Sequence, residues 1–366
     1  MRVCGIERLT GSGEVIVHDQ RQTWDRLVGQ LGGQPFQSWA WGELKQHFGW
    51  RPYRLSAADG SCAAQVLIRP YRGLAVAYVP RGPVLPATGT LDATLLEAIV
   101  SVARAQRAAF LRFEPDILDD DPHAPELDDR LRSAGFRTSE RSIQPRSSIR
   151  VDLTPSPEEI YRAFSTGRKG RIRTAARDGV TVRAGTTDED LDRLHQTLVA
   201  TTRRKGDFGI HTAAYYRTLV EAFGDDARVL LAELKGEVVS AQLVLAWAAN
   251  GIYLVGSSTA AGLRYHAAHL LQWHAIQWAR EHGARSWDLW GVADARGRLE
   301  LIEKRGAAVP RIELERLEQQ ARNDPLDSLL GFKKGWGGQV VRTVPAYDRV
   351  FFKPAYWLWQ RRVGDA

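Results

Sequence analysis

Between Leu91 and Ala108 apolar residues recur every three or four positions. Leu91, Leu95, Ile99, Val102 and Ala103 share one face, so the spacing predicts an amphipathic helix. The run Phe110-Leu111-Arg112-Phe113 behind it is short and rich in aromatics, which predicts a strand. Upstream, the pattern predicts helices over Trp24–Leu31 and Ser38–Phe48, and strands over Tyr53–Ala57, Ala63–Pro70 and Leu74–Val79 joined by tight turns. A helix feeding directly into a strand implies a sheet with covered faces. After the acidic stretch Leu118–Asp129, a short helix ends near Gly135 and a strand over Ile149–Leu153 carries the chain into a second unit.

The second unit repeats the style of the first. Helices are predicted over Pro157–Phe164, Arg171–Arg177, Asp188–Arg203 and Ala213–Phe223, with a strand at Val180–Arg183. Three strands at hairpin spacing follow, Ala227–Leu234, Glu237–Ala246 and Gly251–Val255. A long helix over Tyr265–His282 and a strand at Ser286–Trp290 close the series. The order of helix pair, antiparallel meander, helix and strand is that of a GNAT-type acyltransferase core, present twice. The expected fold class is therefore α/β, with two GNAT-like domains, each a mixed sheet flanked by helices. The first is expected over residues 1–150 and completed by 341–366, and the second over 151–340.

Length and composition agree with this organisation: 366 residues allow two or three domains, and 44% hydrophobic with 25% charged residues is ordinary globular usage. Two cysteines, Cys4 and Cys62, supply neither a disulfide framework nor a cysteine zinc site, so a reducing cytoplasm is the expectation and both thiols are read as inert. No apolar run approaches the length of a spanning helix, nor does one follow the N-terminal arginine as in an export signal, so the chain is expected to be neither membrane-spanning nor exported. Net charge is +7, and only eight of the 50 basic residues are lysines. Arginine pairs with phosphates and stacks on bases, so the skew fits an anionic partner; GC-rich coding produces the same skew.

The usual signatures of chemistry are absent from the sequence. There is no phosphate loop of the Gly-x-x-x-x-Gly-Lys type, no His-Glu-x-x-His, no Gly-x-Ser-x-Gly and no dinucleotide fingerprint. The nine histidines lack metal-ligand spacing, and neither a metal nor a cofactor is expected. The pyrophosphate loop of a CoA-dependent GNAT enzyme is also missing, so the acyl donor is expected not to be CoA. The most unusual local sequence is Gly331-Phe332-Lys333-Lys334-Gly335-Trp336-Gly337-Gly338, where two of the eight lysines sit side by side in a glycine-dense loop. An ammonium on a rigid loop can hold a phosphate or a developing oxyanion; a solvated turn with two surface lysines is the competing reading.

That segment, with Val344-Pro345-Ala346-Tyr347-Asp348 and Pro354-Ala355-Tyr356 after it, resembles the C-terminal signature of the Fem family (FemA, FemB, FemX, MurM). Further matches, in order, are Gln37-Ser38-Trp39-Ala40-Trp41-Gly42-Glu43-Leu44-Lys45, Arg112-Phe113-Glu114-Pro115, Ile143-Gln144-Pro145-Arg146, Ile172-Arg173-x-Ala175, Leu270-Leu271-Gln272-Trp273 and Asp288-Leu289-Trp290-Gly291. They span roughly residues 36–356. The resemblance implies two GNAT-like domains and transfer of Gly, Ala or Ser from aminoacyl-tRNA to the side-chain amine of a peptidoglycan-precursor stem peptide. The acceptor would be UDP-MurNAc-pentapeptide or lipid II, the first domain would bind it, and the enzyme would be cytoplasmic with peripheral contact at the inner membrane face. No long charged heptad segment lies between Arg171 and Phe223, so the inserted coiled-coil arm of FemA-type members is not expected.

By the same resemblance Lys333 is the lysine that stabilises negative charge at the tRNA 3′ end or in the transition state, and Phe332 beside it stacks on the terminal adenosine or packs in the core. Glu114 is a base or an acceptor-peptide contact, with substrate-assisted proton loss as the alternative. Lys45 and Trp41 belong to the acceptor site, with a surface lysine as the other reading of Lys45. His211 stands where relatives carry an arginine for the nucleotide diphosphate, and Tyr215 and Tyr253 line the acceptor groove, unless Tyr253 is simply a core aromatic. Arg168, Lys169, Arg171, Arg173 and Lys334 are the expected tRNA contacts, the first four read with Arg177 as one basic helix face or as a solvated helix. Asp288, Trp290 and Gly291 read as structure. Two other classes stay open: a double-GNAT N-acyltransferase with a thioester donor, and a non-catalytic protein binding RNA or a cell-wall precursor.

Overall fold

The structure is a computed structural model, and it describes residues 15–86, 88–139, 141–205 and 210–362. Cys4 lies outside the described residues. The chain divides into two compact units, one formed by residues 1–146 with 343–366 and the other by residues 147–342.

The first unit runs β1 (Val15–Val17), α1 (Arg21–Gln30), α2 (Trp39–His47), β2 (Arg51–Ala57), β3 (Ala63–Tyr71), β4 (Leu74–Pro80), α3 (Ala93–Ala105), β5 (Ala108–Glu114), α4 (Ala124–Ser133) and β6 (Arg137–Ser139). The second runs β7 (Ser147–Asp152), α5 (Pro157–Ala163), α6 (Thr166–Arg177), β8 (Thr181–Gly185), α7 (Asp188–Lys205), α8 (Ala213–Phe223), β9 (Ala227–Leu234), β10 (Glu237–Trp247), β11 (Asn250–Ser258), α9 (Ala260–Arg264), α10 (Ala267–Glu281), β12 (Ser286–Gly291), α11 (Asp294–Arg305), α12 (Arg311–Asn323), α13 (Leu330–Lys334) and β13 (Gln339–Arg342). The chain then returns to the first unit as β14 (Ala346–Val350) and α14 (Lys353–Arg362).

Each unit is built on one seven-stranded mixed sheet, ordered β1-β2-β3-β4-β5-β14-β6 in the first and β13-β7-β12-β11-β10-β9-β8 in the second. In both, four strands form an antiparallel meander, a single parallel step follows (β4 to β5, β11 to β12), and the next place is taken by a strand distant in sequence (β14, β7). Local signals explain the elements. Asp92 caps α3 by accepting from the Leu95 N–H, and Leu95, Leu96, Ile99, Val100, Val102 and Ala103 then bury one face against the sheet. Ser156 and Glu159 form a reciprocal capping box at α5.

Two expectations need correction. The helix read over Tyr265–His282 is α10, Ala267–Glu281; it starts only after His266, whose left-handed φ of 56° separates it from the short α9, an element that the apolar spacing does not signal. The segment around Lys333 is not a loop. Residues 330–334 form the helical turn α13, and glycines dominate only behind it. The pair α11 and α12, left unassigned by periodicity, packs around a small core of its own, Ala293, Ala295, Leu317 and Ala321. Among the described residues no helix is long and apolar enough to cross a membrane.

Candidate functional site

In the second unit β11 and β12 pair in parallel over only three positions, Asn250 with Ser286, Gly251 with Trp287 and Ile252 with Asp288. At that point β12 makes a sharp turn. Trp290 sits at φ 65°, a left-handed conformation that costs a bulky residue on the order of 1–3 kcal/mol. Its N–H donates to Asp288 Oδ1 at 2.7 Å, and Asp288 Oδ2 accepts from Ser148 Oγ at 3.2 Å and Arg150 Nε at 3.4 Å. The turn presents two backbone carbonyls to one cation: Lys333 Nζ donates to Gly291 O at 2.5 Å and to Trp290 O at 3.2 Å. Lys333 is only 3% exposed. Burial pulls its pKa down from the usual lysine range to about 8, and the Asp288 carboxylate partly opposes the shift. The lysine of the pair that the sequence singled out is therefore a buried, carbonyl-held ammonium with one N–H beyond the two used here.

Its neighbours hold the backbone that carries it. Arg168 Nη2 donates to Gly331 O at 2.9 Å and to Phe332 O at 2.6 Å, and the guanidinium lies 5.0 Å from the Phe332 ring centre and 4.9 Å from that of Trp336. Ser165 N donates to Gly335 O at 3.1 Å, and a Cβ on Gly335 would stand 2.8 Å from Arg168 Nε, so a larger residue there would displace the Arg168 guanidinium. Phe332 is half-buried, edge-on to His269 at 5.3 Å and Trp336 at 5.8 Å. Burial, with Arg168 and Arg171 nearby, lowers the His269 pKa to about 3, so this imidazole is neutral at physiological pH. Burial also lowers the Arg168 pKa, to about 10.

The five cations of α6 and its neighbourhood do not share one face. Arg168 is buried on the same side as Ile172 and Ala175, because 3.6 residues per turn bring those positions together. Lys169, Arg173 and Arg177 recur every four residues on another side, where Lys169 Nζ donates to Arg162 O, and exposed Arg171 stands apart from that row. Lys334, exposed beside buried Lys333, is ion-paired with Glu300 at 2.7 Å.

The remaining second-unit candidates lie on β11 and at the start of α8. His211 is exposed and its ring stacks on Tyr215 at 3.8 Å between ring centres, while its backbone N–H donates to Tyr216 Oη at 3.2 Å. Tyr253 packs against the core of this unit, its hydroxyl filling the space that a Cβ on Gly256 would need, and burial raises the phenol pKa. Tyr215 is raised likewise by burial.

In the first unit Glu114 ends β5 and is 4% exposed. It accepts from Tyr78 Oη at 2.6 Å and from the N–H groups of Ile143 at 2.6 Å and Gln144 at 2.9 Å. Burial raises its pKa, and those donors hold the rise in check. Glu114 thus fastens the Ile143–Gln144 segment to the end of β5. Trp41 and Lys45 lie one turn apart on α2, whose N-cap Ser38 accepts from Trp41 N at 3.1 Å. Lys45 Nζ sits 4.6 Å from the Trp41 ring centre, and burial followed by the charge of Arg69 lowers its pKa to about 8. The indole Nε1 of Trp41 is buried without a hydrogen-bond partner. Cys62 is buried and its thiol pKa is raised by burial, the character of an inert thiol. Among the described residues no group of three or more His, Cys, Asp or Glu side chains is placed to hold a metal ion.

Sequence reasoning treated Asp288 and Trp290 as structural and passed over His269. An Asp two residues before an aromatic at a strand end is an Asx-turn signal, which could have flagged the first pair. No local signal marks His269, because most of its neighbours come from two other segments, α6 and residues 332–336.

The chain is similar in fold to FemX, with a TM-score of 0.78 at 20% identity over 94% of this chain and 99% of that one. It is similar also to a tandem GNAT protein from the clavulanic acid pathway, with a TM-score of 0.50 at 11% identity over 92% of this chain and 97% of that one. In sequence it is 28% identical over 280 residues to the UDP-N-acetylmuramoylpentapeptide-lysine N(6)-alanyltransferase of Weissella viridescens, which covers 71% of this chain and 80% of that protein. It is 21% identical over 430 aligned residues to the lipid II:glycine glycyltransferase of Staphylococcus aureus strain USA300, covering 93% and 94%. The family model described as the FemAB family matches residues 30–238, more than half of the chain, and the protein belongs to that family.

Proposed function

We infer that this protein is a tRNA-dependent aminoacyltransferase. It moves Gly, Ala or Ser from aminoacyl-tRNA to the side-chain amine of the diamino acid in a peptidoglycan-precursor stem peptide, and so builds the interpeptide bridge. The observation that carries the reading is Lys333, a buried ammonium held by the Trp290 and Gly291 carbonyls at the point where β11 and β12 part. An aminoacyl ester is already activated. The acceptor amine attacks its carbonyl, the C–N bond forms, the C–O bond to the ribose breaks, and the amine's proton ends on the departing ribose oxygen. Positioning supplies ~7–11 kcal/mol of such a barrier, and a donor aimed at the tetrahedral oxyanion adds about 2.7–4 kcal/mol. Lys333 is assigned that donor role, and Phe332 the support of the terminal adenosine.

Lys169, Arg171 and Arg173 are assigned to tRNA phosphates, with Lys334 available once its exposed pair with Glu300 opens. Lys45 and Trp41 of the first unit are assigned to the acceptor; the resemblance gives the same assignment to His211, Tyr215 and Tyr253 of the second unit. Glu114 acts by fixing the Ile143–Gln144 segment, and the proton transfer is assigned to the substrate's own ribose hydroxyl. The acceptor is UDP-MurNAc-pentapeptide or lipid II, met at the cytoplasmic face of the membrane. Names of related proteins support the substrate class, since one is an alanyltransferase acting on a UDP-linked pentapeptide lysine and another a lipid II glycyltransferase.

The test is transfer of label from total tRNA charged with Gly, Ala or Ser to UDP-linked and lipid-linked acceptors in parallel, with Lys333→Ala as control. Label reaching either acceptor and lost in the variant supports the reading. Absence of transfer from every charged tRNA by a folded protein overturns it in favour of a thioester-dependent enzyme or a non-catalytic binder.

A further inference from the structure

The C-terminal helix α14 carries a surface that the transfer reaction does not use. On a helical projection Ala355, Tyr356 and Trp359 form one side. That side packs on β5, with Tyr356 and Trp359 at 5.2 and 4.6 Å from the Phe110 ring centre. The opposite arc, Lys353, Pro354, Trp357, Leu358 and Arg361, is continuous and exposed, and Phe352 precedes it. Phe352, Trp357 and Leu358 are 47%, 50% and 56% exposed, three large apolar side chains within seven residues. Arg361 lies over the Trp357 ring at 3.4 Å. Residues 349–362 contain four cations and no Asp or Glu.

The β3–β4 turn lies next to the cluster under the buried side of this helix. Leu74, the first residue after it, packs in the cluster beneath Tyr356, and the turn exposes Tyr71 (53%) beside Arg72. Isolated exposed apolar residues are ordinary, but an aromatic and aliphatic arc edged only by cations is the composition of a helix lying in the headgroup region of an anionic bilayer. The apolar side chains enter the acyl boundary while arginine and lysine meet lipid phosphates.

We propose that the α14 arc is a membrane-surface contact for anionic phospholipid, which holds the enzyme where a lipid-linked acceptor is embedded. The proposal rests on the reading of the acceptor given above. RNA is the other polyanion to consider, and the geometry disfavours it: one face of Trp357 is already covered by Arg361, and Leu358, the most exposed of the three apolar side chains, offers a base no stacking surface.

The test is flotation of the full chain with vesicles of phosphatidylcholine alone or with phosphatidylglycerol added. Wild type is expected to float only with the anionic vesicles. The double variant Trp357→Ser with Leu358→Ser should partition about ten-fold less or weaker still, and Lys353→Glu and Arg361→Glu about five-fold less each. All these positions are exposed, so circular dichroism should be unchanged. Transfer to the soluble UDP-linked acceptor should also be unchanged in the double variant, while transfer to vesicle-embedded lipid-linked acceptor falls. Lys333→Ala should float like wild type. The proposal is overturned by wild type that ignores anionic vesicles, by a double variant that floats normally, or by loss of charged-tRNA binding or of self-association in its place. Vesicle binding lost in the double variant, with no transfer in any arm, would leave the surface standing and bring down the enzymatic reading alone.

Discussion

The two units share a strand plan and differ in how the parallel step at its centre is finished. In the first, β4 and β5 stay paired from Ala75 and Ala108 to Pro80 and Glu114. The buried charges of β5, Arg112 and Glu114, meet an opposite charge or multiple donors. Arg112 and Asp348, opposite each other on β5 and β14, form a two-pronged pair at 2.7 and 2.6 Å, and Tyr356 Oη adds a third bond to Asp348 at 2.7 Å. In the second, β11 and β12 separate after three pairs, and the buried cations Lys333 and Arg168 are met by backbone carbonyls and aromatic faces. A carboxylate partner neutralises a cation, whereas carbonyls orient it and leave its charge in place. At the parallel step, one copy of the plan is thus closed by a neutralised pair, and the other keeps a buried cation where its two central strands part.

This contrast can be broken at its strongest point first. Asp348→Ala leaves the Arg112 guanidinium buried without its carboxylate, and should cost about 3–5 kcal/mol of stability, seen as a large drop in the midpoint of urea unfolding. Replacing Lys333 with Ala should lower kcat for transfer by about 10²–10³-fold, with a much smaller effect on stability; a variant that turns over normally would remove the central claim about the second unit. Arg168→Lys keeps a charge but loses the fork that spans Gly331 O and Phe332 O. It should lower kcat by about ten-fold with little change in KM for charged tRNA, since a misplaced turn weakens transition-state contacts more than ground-state binding.

The pH profile sharpens the same point. Burial has brought the Lys333 pKa down to about 8, so its charge is present below that pH and is lost above it. Transfer should therefore fall as pH rises through about 8, and Lys333→Arg, which stays charged, should flatten that limb. A rate that climbed through this range would make Lys333 a base instead. The smallest effect is expected at the exposed row of α6: removing Arg173 should weaken charged-tRNA binding modestly and reduce the slope of log affinity against log salt by about one.

Much of this was legible in one dimension. Periodicity located α3, α8, β9 and β10, because their faces are buried along their whole length and side-chain burial follows the helical or strand period. The pair Lys333-Lys334 stood out because lysines are rare in this chain and adjacent ones rarer. Periodicity missed β14 and α14, which are short and take their partners from residues more than two hundred positions earlier, as Asp348 does with Arg112. It also assigned Arg168 to an exposed basic face, since one sequence cannot tell which arc of a helix the sheet will cover.

The sequence by itself determined the element types, the repeat of the plan and the identity of the conspicuous lysine, because these depend on spacing and composition within a few turns. Only the tertiary structure decided which of two adjacent lysines is buried and what holds it. The Asp288–Trp290 turn, the Arg168 fork and α13 come from three separate stretches of chain, and the properties of the Lys333 ammonium arise from their meeting. Desolvation and carbonyl contact are properties of that assembled surrounding, and no local stretch of residues encodes them.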